Sequence, residues 1–300
     1  MDRNCLIVGC GYTGLRLARR LQPAWRVAAL ARSAEAAARL GAEGIATVQA
    51  DLDAPIDPGP RAALAAAAAD GAAIAYLAPP PDSGNGDPRL GRFLVALGNA
   101  RPSVFLYMST TGVYGDTGGA VVTEASPVAP ANDRSRRRVA AEDAATTWCA
   151  ARGVRAVVLR VPGIYGPHRL PLERLRRAEP ALRPEDAGPG NRIHVDDLVT
   201  ACVAALERPV RGVFNVTDGN PASTTEYLER TADLAGLPRP PLVALADAAG
   251  RISPGMLAFL VESRRVDSRR MREDLGVVPR YQRLEDGIAA SLDAMRAPEG

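Results

Sequence analysis

The 300-residue sequence predicts an α/β fold built on a doubly wound parallel sheet. Short apolar runs alternate with segments of helical spacing over residues 2–166. The runs are nearly continuous in apolar residues, the mark of strands covered on both faces. The first run ends in a glycine-rich turn that opens a helix, and right-handed crossovers then leave the doubly wound arrangement.

"CLIVGCG" gives the first strand, and "YTGLRLARRL" follows as a helix with Leu15, Ala18 and Leu21 on one face. "RVAALAR" is the second strand, "SAEAAARL" the next helix and "IATVQADL" the third strand. An alanine-rich helix over 62–69 precedes the strand "AIAYLA", and a helix over 90–99 precedes "VFLYMS". Between them "PPPDSGNGDP", residues 79–88, has the composition of a mobile loop. A long helix over 134–152 leads into "AVVLRV". Beyond Gly166 the pattern loosens, and 167–190 and 220–280 are rich in Pro and Arg without strand alternation. The expected division is a sheet domain of residues 1–166, rejoined by 191–219. A smaller substrate lobe of 167–190 and 220–300 lies over the sheet's carboxyl edge.

Composition narrows the function classes. A hydrophobic content of 47% supports a large core. The net charge of +3 and an aromatic content of 4% argue against a nucleic-acid partner. All 37 basic residues are arginine, which removes Schiff-base and lysine general-base chemistry. Cys5, Cys10, Cys149 and Cys202 are scattered, so neither a metal nor a disulfide framework is expected, and they read as reduced cytoplasmic thiols. No apolar run approaches about 18 residues, so neither a membrane span nor a signal peptide is expected.

"GCGYTG" places Gly9, Gly11 and Gly14 in G-x-G-x-x-G spacing around Tyr12 and Thr13, between a strand and a helix. In that context the first glycine makes the turn and the second lets backbone approach a pyrophosphate. The third permits close helix–strand packing. A site selective for NAD would end the second strand in Asp or Glu, whereas Ala31, Arg32 and Ser33 stand there. A guanidinium and a hydroxyl suit a 2′-phosphate, so NADP (as NADPH) is expected over NAD, and Ser33 can also cap the next helix. Asp51, with Leu52 beside it, ends the third strand within reach of an adenine. Ala78 and Pro79, Ser109 and Thr110, and Pro162, Gly163 and Ile164 are strand-end positions that should converge on the nicotinamide. Ser109 or Thr110 can hydrogen-bond a substrate carbonyl or hydroxyl.

Four further motifs appear in order: "STTGVYG", "LRVPGIYGP", "NRIHVDDL" and "GVFNVTDGNP". With these the sequence resembles the extended and atypical short-chain dehydrogenase/reductases, the NAD-dependent epimerase/dehydratase family with its Rossmann fold. "ESRRVDSRRMREDLG" resembles a small atypical branch of nucleoside-diphosphate-sugar epimerases. The resemblance implies a small-molecule substrate, with a nucleotide sugar as one candidate, and leaves a homodimer open. By alignment on "VYG", Thr110 matches the family's catalytic Ser/Thr.

The family's active helix carries Y-x-x-x-K followed by a glutamate. Anchored on Glu142 in "NDRSRRRVAAED", the lysine position falls on Arg138 and the tyrosine position on Arg134. Arg138 can still bind ribose hydroxyls. Arg134 cannot act as a tuned acid, because arginine keeps its proton to a pKa above about 12. Arg136 and Arg137 are expected on the solvated side. His168, after "GIYGP", is the better alternative acid/base. His194 is expected to pack ahead of a helix capped by Asp196 or Asp197. Two functions follow: an NADP-dependent oxidoreductase or epimerase, or a non-catalytic NADP(H)-binding redox sensor or scaffold.

Overall fold

The computed structural model describes residues 3–69 and 71–297. The first half alternates β1 (Arg3–Val8), α1 (Tyr12–Leu21), β2 (Trp25–Ala31), α2 (Ala34–Ala42), β3 (Ala46–Gln49) and α3 (Pro58–Ala67). It continues through β4 (Ala73–Tyr76), α4 (Pro88–Ala96), β5 (Val104–Thr110), β6 (Val121–Val122), α5 (Asp133–Ala150) and β7 (Arg155–Val161). After it come β8 (Gly163–Tyr165), α6 (Leu172–Arg176), β9 (Ala181–Leu182), β10 (Arg192–His194), α7 (Val195–Glu207) and β11 (Gly212–Asn215). The chain ends through α8 (Thr224–Ala235), β12 (Leu242–Val243), α9 (Pro254–Val261), β13 (Arg265–Val266), α10 (Arg269–Glu273) and α11 (Leu284–Arg296).

Seven strands form one parallel sheet in the order β11-β7-β5-β4-β1-β2-β3. The order reverses between β1 and β4, the switch point beyond which ligands bind in such sheets. Period-two alternation divides each strand between two cores. On β1, Cys5 and Ile7 face the core under α1 and α7, while Leu6 and Val8 face the one under α3, α4 and α5. The later segments build smaller cores. Tyr165, Tyr227, Leu284 and Ile288 form one, and Leu182, Val243, Ile252 and Leu260 another. The short strands pair in parallel as β8 with β10, β9 with β12, and β6 with β13.

Helix α7 starts differently from expectation. The Nδ1 of His194 accepts the Asp196 N–H at 3.2 Å, so the histidine is the cap. Its ring is buried against Tyr165 and Tyr281, with Nε2 3.2 Å from the Ser291 hydroxyl. Burial lowers its pKa. Asp197 is occupied elsewhere, accepting the N–H groups of Arg280 (2.8 Å) and Tyr281 (3.1 Å). It thereby ties α7 to the segment before α11.

Helix α5 is held by a buried ion pair. The Arg160 Nη2 on β7 donates to the Glu142 carboxylate at 2.7 Å, and both side chains are 8% exposed. The Ser109 hydroxyl at the end of β5 donates to the same carboxylate. Removing one member of a buried pair leaves an uncompensated charge and typically costs about 3–5 kcal/mol. Glu142→Ala should therefore lower unfolding free energy by about that amount in a urea titration, with Glu142→Gln losing less. A loss under about 1 kcal/mol would mean that the pair does not anchor the helix.

Asp218, after β11, is buried and accepts the Asn220 N–H at 2.9 Å. Burial pushes its carboxyl up to about 7, with Arg192 pulling partly the other way. A folded-state pKa above the unfolded value of about 3.9 means that stability is complete below that lower value. It is then lost as pH rises through about 7. Asp218→Asn should accordingly raise Tm relative to the parent at pH 8 and leave the difference near zero at pH 4. Equal shifts at both pH values would refute the buried, raised carboxyl.

Candidate active site

The glycine-rich turn separates into two kinds of position. Gly9 has φ +93°, and a Cβ there would stand 2.5 Å from the Ala78 nitrogen. A Cβ on Gly14 would stand 2.4 Å from the Gly9 oxygen. Packing of β1, α1 and the end of β4 thus requires both. At Gly11 a Cβ would meet no protein atom within 4 Å. Its smallness leaves room for something outside the chain. Helix α1 begins there with no side-chain cap and no acidic residue in its first turn. Its free N–H groups and positive dipole end form a ready anion site. These features fit a dinucleotide pyrophosphate.

The turn opens into a cavity of about 570 Å³. Of the residues expected to bind cofactor, Gly9, Gly11, Tyr12, Thr13, Gly14, Arg32, Asp51, Leu52, Ala78, Pro79, Arg138 and Ile164 line it. Ser33, Ser109, Pro162 and Gly163 do not. The Ser33 hydroxyl caps α2, accepting the Ala36 N–H at 3.2 Å. Ser109 departs from expectation: it is buried, and its hydroxyl turns to Glu142 rather than to a ligand. Arg39, Arg89 and Arg169 also line the cavity, and no sequence motif marks them.

At the mouth, Arg32 is exposed and stands 3.5 Å from both Asp51 and Asp53. Arg89 grips Asp53 with two bonds of 2.6 and 2.7 Å and donates to the Pro79 carbonyl at 3.1 Å. That fork holds the Asp53 carboxyl below its ordinary pKa. Deeper in, Arg138 is half-buried and donates to the Met108 carbonyl at 2.7 Å and to the Tyr107 hydroxyl at 3.3 Å. Burial pushes the Tyr107 phenol up to about 12.

The neighbouring arginines of α5 are placed by the helix period. Asn132 caps the helix by accepting the Ser135 N–H at 2.9 Å. Arg136 is exposed and pairs with Asp133 at 2.5 Å. Arg137 corrects the expectation of a solvated side chain: it is buried, with its Nη1 3.2 Å from the Gly84 carbonyl. The 79–88 loop lies over that face of the helix. Composition could not reveal the cover.

A second cavity of about 350 Å³ adjoins the first, sharing Ile164 and Arg169. Thr110, Pro162 and Gly163 line it together with Arg134, Ser135, Arg192, Glu262 and Arg264. The Thr110 hydroxyl oxygen accepts the Gly112 N–H at 3.2 Å, keeping its own proton free to donate. His168 lines neither cavity. It is exposed in a turn at φ +63°, and the residue that the turn presents inward is Arg169. The Arg169 guanidinium lies 4.2 Å from the Tyr12 ring centre, opposed by Arg16 at 4.1 Å.

The chain is similar to several known proteins. A reductase from a Streptomyces species, the 3-diazoavenalumate denitrifying reductase, is 32% identical over 148 residues, covering 46% of this chain and 48% of that protein. The UDP-glucose 4-epimerase of Corynebacterium glutamicum is 27% identical over 204 residues, covering 60% of this chain and 59% of that protein. The chain thus spans between about half and three-fifths of the curated relatives it matches. A conserved protein of unknown function from Silicibacter pomeroyi DSS has a similar structure, with a TM-score of 0.82 and 31% identity. That likeness covers 99% of this chain and 100% of that one. The profile of one family matches residues 5–217, from the first strand through the glycine-rich turn to the last strand of the seven-stranded sheet. By that match the chain belongs to the NAD dependent epimerase/dehydratase family.

Proposed function

We propose that this protein is an NADP-dependent oxidoreductase or epimerase that moves a hydride to or from a carbonyl or hydroxyl carbon of a small molecule. The observation that carries the reading is Gly11, whose missing side chain leaves a space that no protein atom fills, at an uncapped helix start. The first turn of α1 would hold the pyrophosphate, Arg138 the nicotinamide ribose, and Arg32 with Ser33 the 2′-phosphate. Arg32 is free to do so. Its contacts with Asp51 and Asp53 are exposed and long, and such pairs are worth about 0–1 kcal/mol. A charge-assisted bond to phosphate is stronger.

When bound, the reduced nicotinamide supplies a hydride, so a carbonyl that also takes one proton becomes an alcohol and the oxidised dinucleotide remains. The chain's part is to place and polarise the carbonyl. Thr110 donates to its oxygen from the second cavity. Arg134 and Arg138 occupy the positions of the family's Y-x-x-x-K pair, so α5 brings fixed positive charge but no titrating acid. The proton reaches the oxygen from solvent through the Thr110 hydroxyl. The curated relatives divide between a reductase and a sugar epimerase, which supports hydride transfer and makes a nucleotide sugar one candidate substrate.

A second reading, a non-catalytic NADP(H)-binding sensor or scaffold, is favoured by one observation. Among the described residues, no tyrosine or histidine lines the second cavity. NADPH oxidation across a panel of carbonyl compounds, together with epimerisation of nucleotide sugars in the presence of NADP⁺, separates the two. Tight binding with neither activity selects the sensor.

Fluorescence titration should find NADPH bound at least about tenfold more tightly than NADH, roughly 1.4 kcal/mol. Arg32→Ala should erase the difference, and equal affinities in the parent protein would remove the 2′-phosphate assignment. Gly11→Val should abolish dinucleotide binding with an unchanged circular dichroism spectrum, because the added side chain meets only the ligand's space. A folded variant that still binds would move the nucleotide out of this turn.

A further inference from the structure

The second cavity carries more positive charge than the chain itself neutralises. Arg134, Arg169, Arg192 and Arg264 line it against one carboxylate, Glu262. Glu262 is committed to Arg264, at 3.0 and 3.1 Å from its two Nη atoms. Arg192 is 8% exposed, yet no carboxylate among the described residues pairs with it. Its guanidinium donates at 2.7 Å to the Ala222 carbonyl and at 3.1 Å to the Thr224 hydroxyl, and its face lies 4.4 Å from the Tyr227 ring centre. A guanidinium has five donors, so most of its capacity is unspent. Burying a cation without a counter-charge is costly, and burial correspondingly lowers the Arg192 pKa. The carboxyl that acts on it most strongly, Asp218, is itself pushed up to about 7 by burial and supplies only part of a charge at neutral pH.

Two helix starts add to this field. The first turns of α5 and α8 both reach the cavity wall, and a helix N-terminus carries roughly half a positive charge. The cavity is small, near the lower end of the range of about 300–1,000 Å³ for drug-sized ligands. Thr110, the carbonyl-polarising residue of the reading above, lines the same space.

We propose that this cavity takes a small oxo or hydroxy compound bearing a carboxylate or phosphoryl group, which Arg192 and Arg134 hold while Thr110 meets its carbonyl. The proposal rests on the hydride-transfer reading for the role of Thr110 and narrows the substrate from a nucleotide sugar to a small acid. Calorimetric titration of the full chain with saturating NADP⁺ tests it, because the oxidised dinucleotide has no hydride to give to the ketone probes. The probes are acetoacetate, its methyl ester, hydroxyacetone phosphate and UDP-glucose.

At least one of the two small anions should bind more than about tenfold tighter than the ester, and the tighter one identifies the anionic group. Arg192→Met and Arg134→Met should each remove that advantage, while Arg136→Met, on the solvated face, should keep it. Arg134 is exposed, so its variant carries the test should Arg192→Met fail to fold. An ester that binds as tightly as the acid overturns the proposal. So does an anion preference that survives Arg134→Met, UDP-glucose binding tighter than both small anions, or no measurable binding of either anion. Repeating the titration without NADP⁺ separates the two claims. A protein that takes the anion through Arg134 but binds no dinucleotide keeps this inference and loses the hydride-transfer reading.

Discussion

The buried pair between Glu142 and Arg160 fixes the geometry of the whole site. It joins three elements at the carboxyl edge of the sheet: α5 through Glu142, β7 through Arg160, and β5 through the Ser109 hydroxyl. The Arg160 guanidinium also lies 4.9 Å from the ring centre of Tyr114, whose hydroxyl donates to Asn215 on β11 at 2.7 Å. Desolvating two charges is expensive, and such a pair persists only when further hydrogen bonds satisfy its members. Here they nearly do, with only the Arg160 Nη1 left without a partner. The consequence is positional. Arg138 lies one helical turn before Glu142 and Arg134 two turns before it, about 6 and 12 Å along the axis. Anchoring Glu142 therefore directs Arg138 to the first cavity and Arg134 to the second.

A chain without lysine meets its structural needs for cations with guanidinium groups alone. Their planar forks suit backbone carbonyls. Arg155 donates to the carbonyls of Ala205, Leu206, Arg208 and Val210, gathering the unsatisfied end of α7. Arg138 is steered in the same manner by Met108, and Arg264 by the Gly115 carbonyl at 2.6 Å. Lysine in these places could make single bonds to an oxygen but not bridge several at fixed angles. The arginine richness that reads as compositional bias in the sequence is thus used locally for precision of placement.

The succession of strands and helices and the glycine-rich turn were legible because they depend on local rules: apolar runs, spacing, and one glycine at φ +93°. Thr110 and Arg138 were legible because each sits at a fixed offset from a recognisable end, the close of β5 or Glu142. What escaped was decided by distant segments. The solvation of Arg137 depended on the 79–88 loop passing over α5. The direction of Ser109 depended on a carboxylate 33 residues away. His168 is an acid/base candidate by residue type, but a left-handed turn faces it outward and puts Arg169 in the cavities instead. Arg39, Arg89 and Arg169 come from three separate segments and form no motif. Their convergence is a property of the fold alone.

In the proposed reading a guanidinium stands at position 134 where the family carries a phenol, and this changes what the site can contribute, not merely how much. A tyrosine lowers the barrier by delivering a proton as negative charge develops on the carbonyl oxygen. A guanidinium keeps its protons but can stabilise that charge directly, and fixed donors aimed at a developing oxyanion are often the largest single term in catalysis. In the proposed reaction, hydride arrival and protonation therefore need not coincide. The alkoxide can be held by positive charge and the Thr110 hydroxyl, and its proton taken afterwards from water through that hydroxyl. A guanidinium as a group holds its proton far more tightly than a phenol or an imidazole, so a field built from such groups needs no titrating acid. In that reading, an active helix without a tyrosine is compatible with catalysis, provided that the cavity supplies a field in place of an acid.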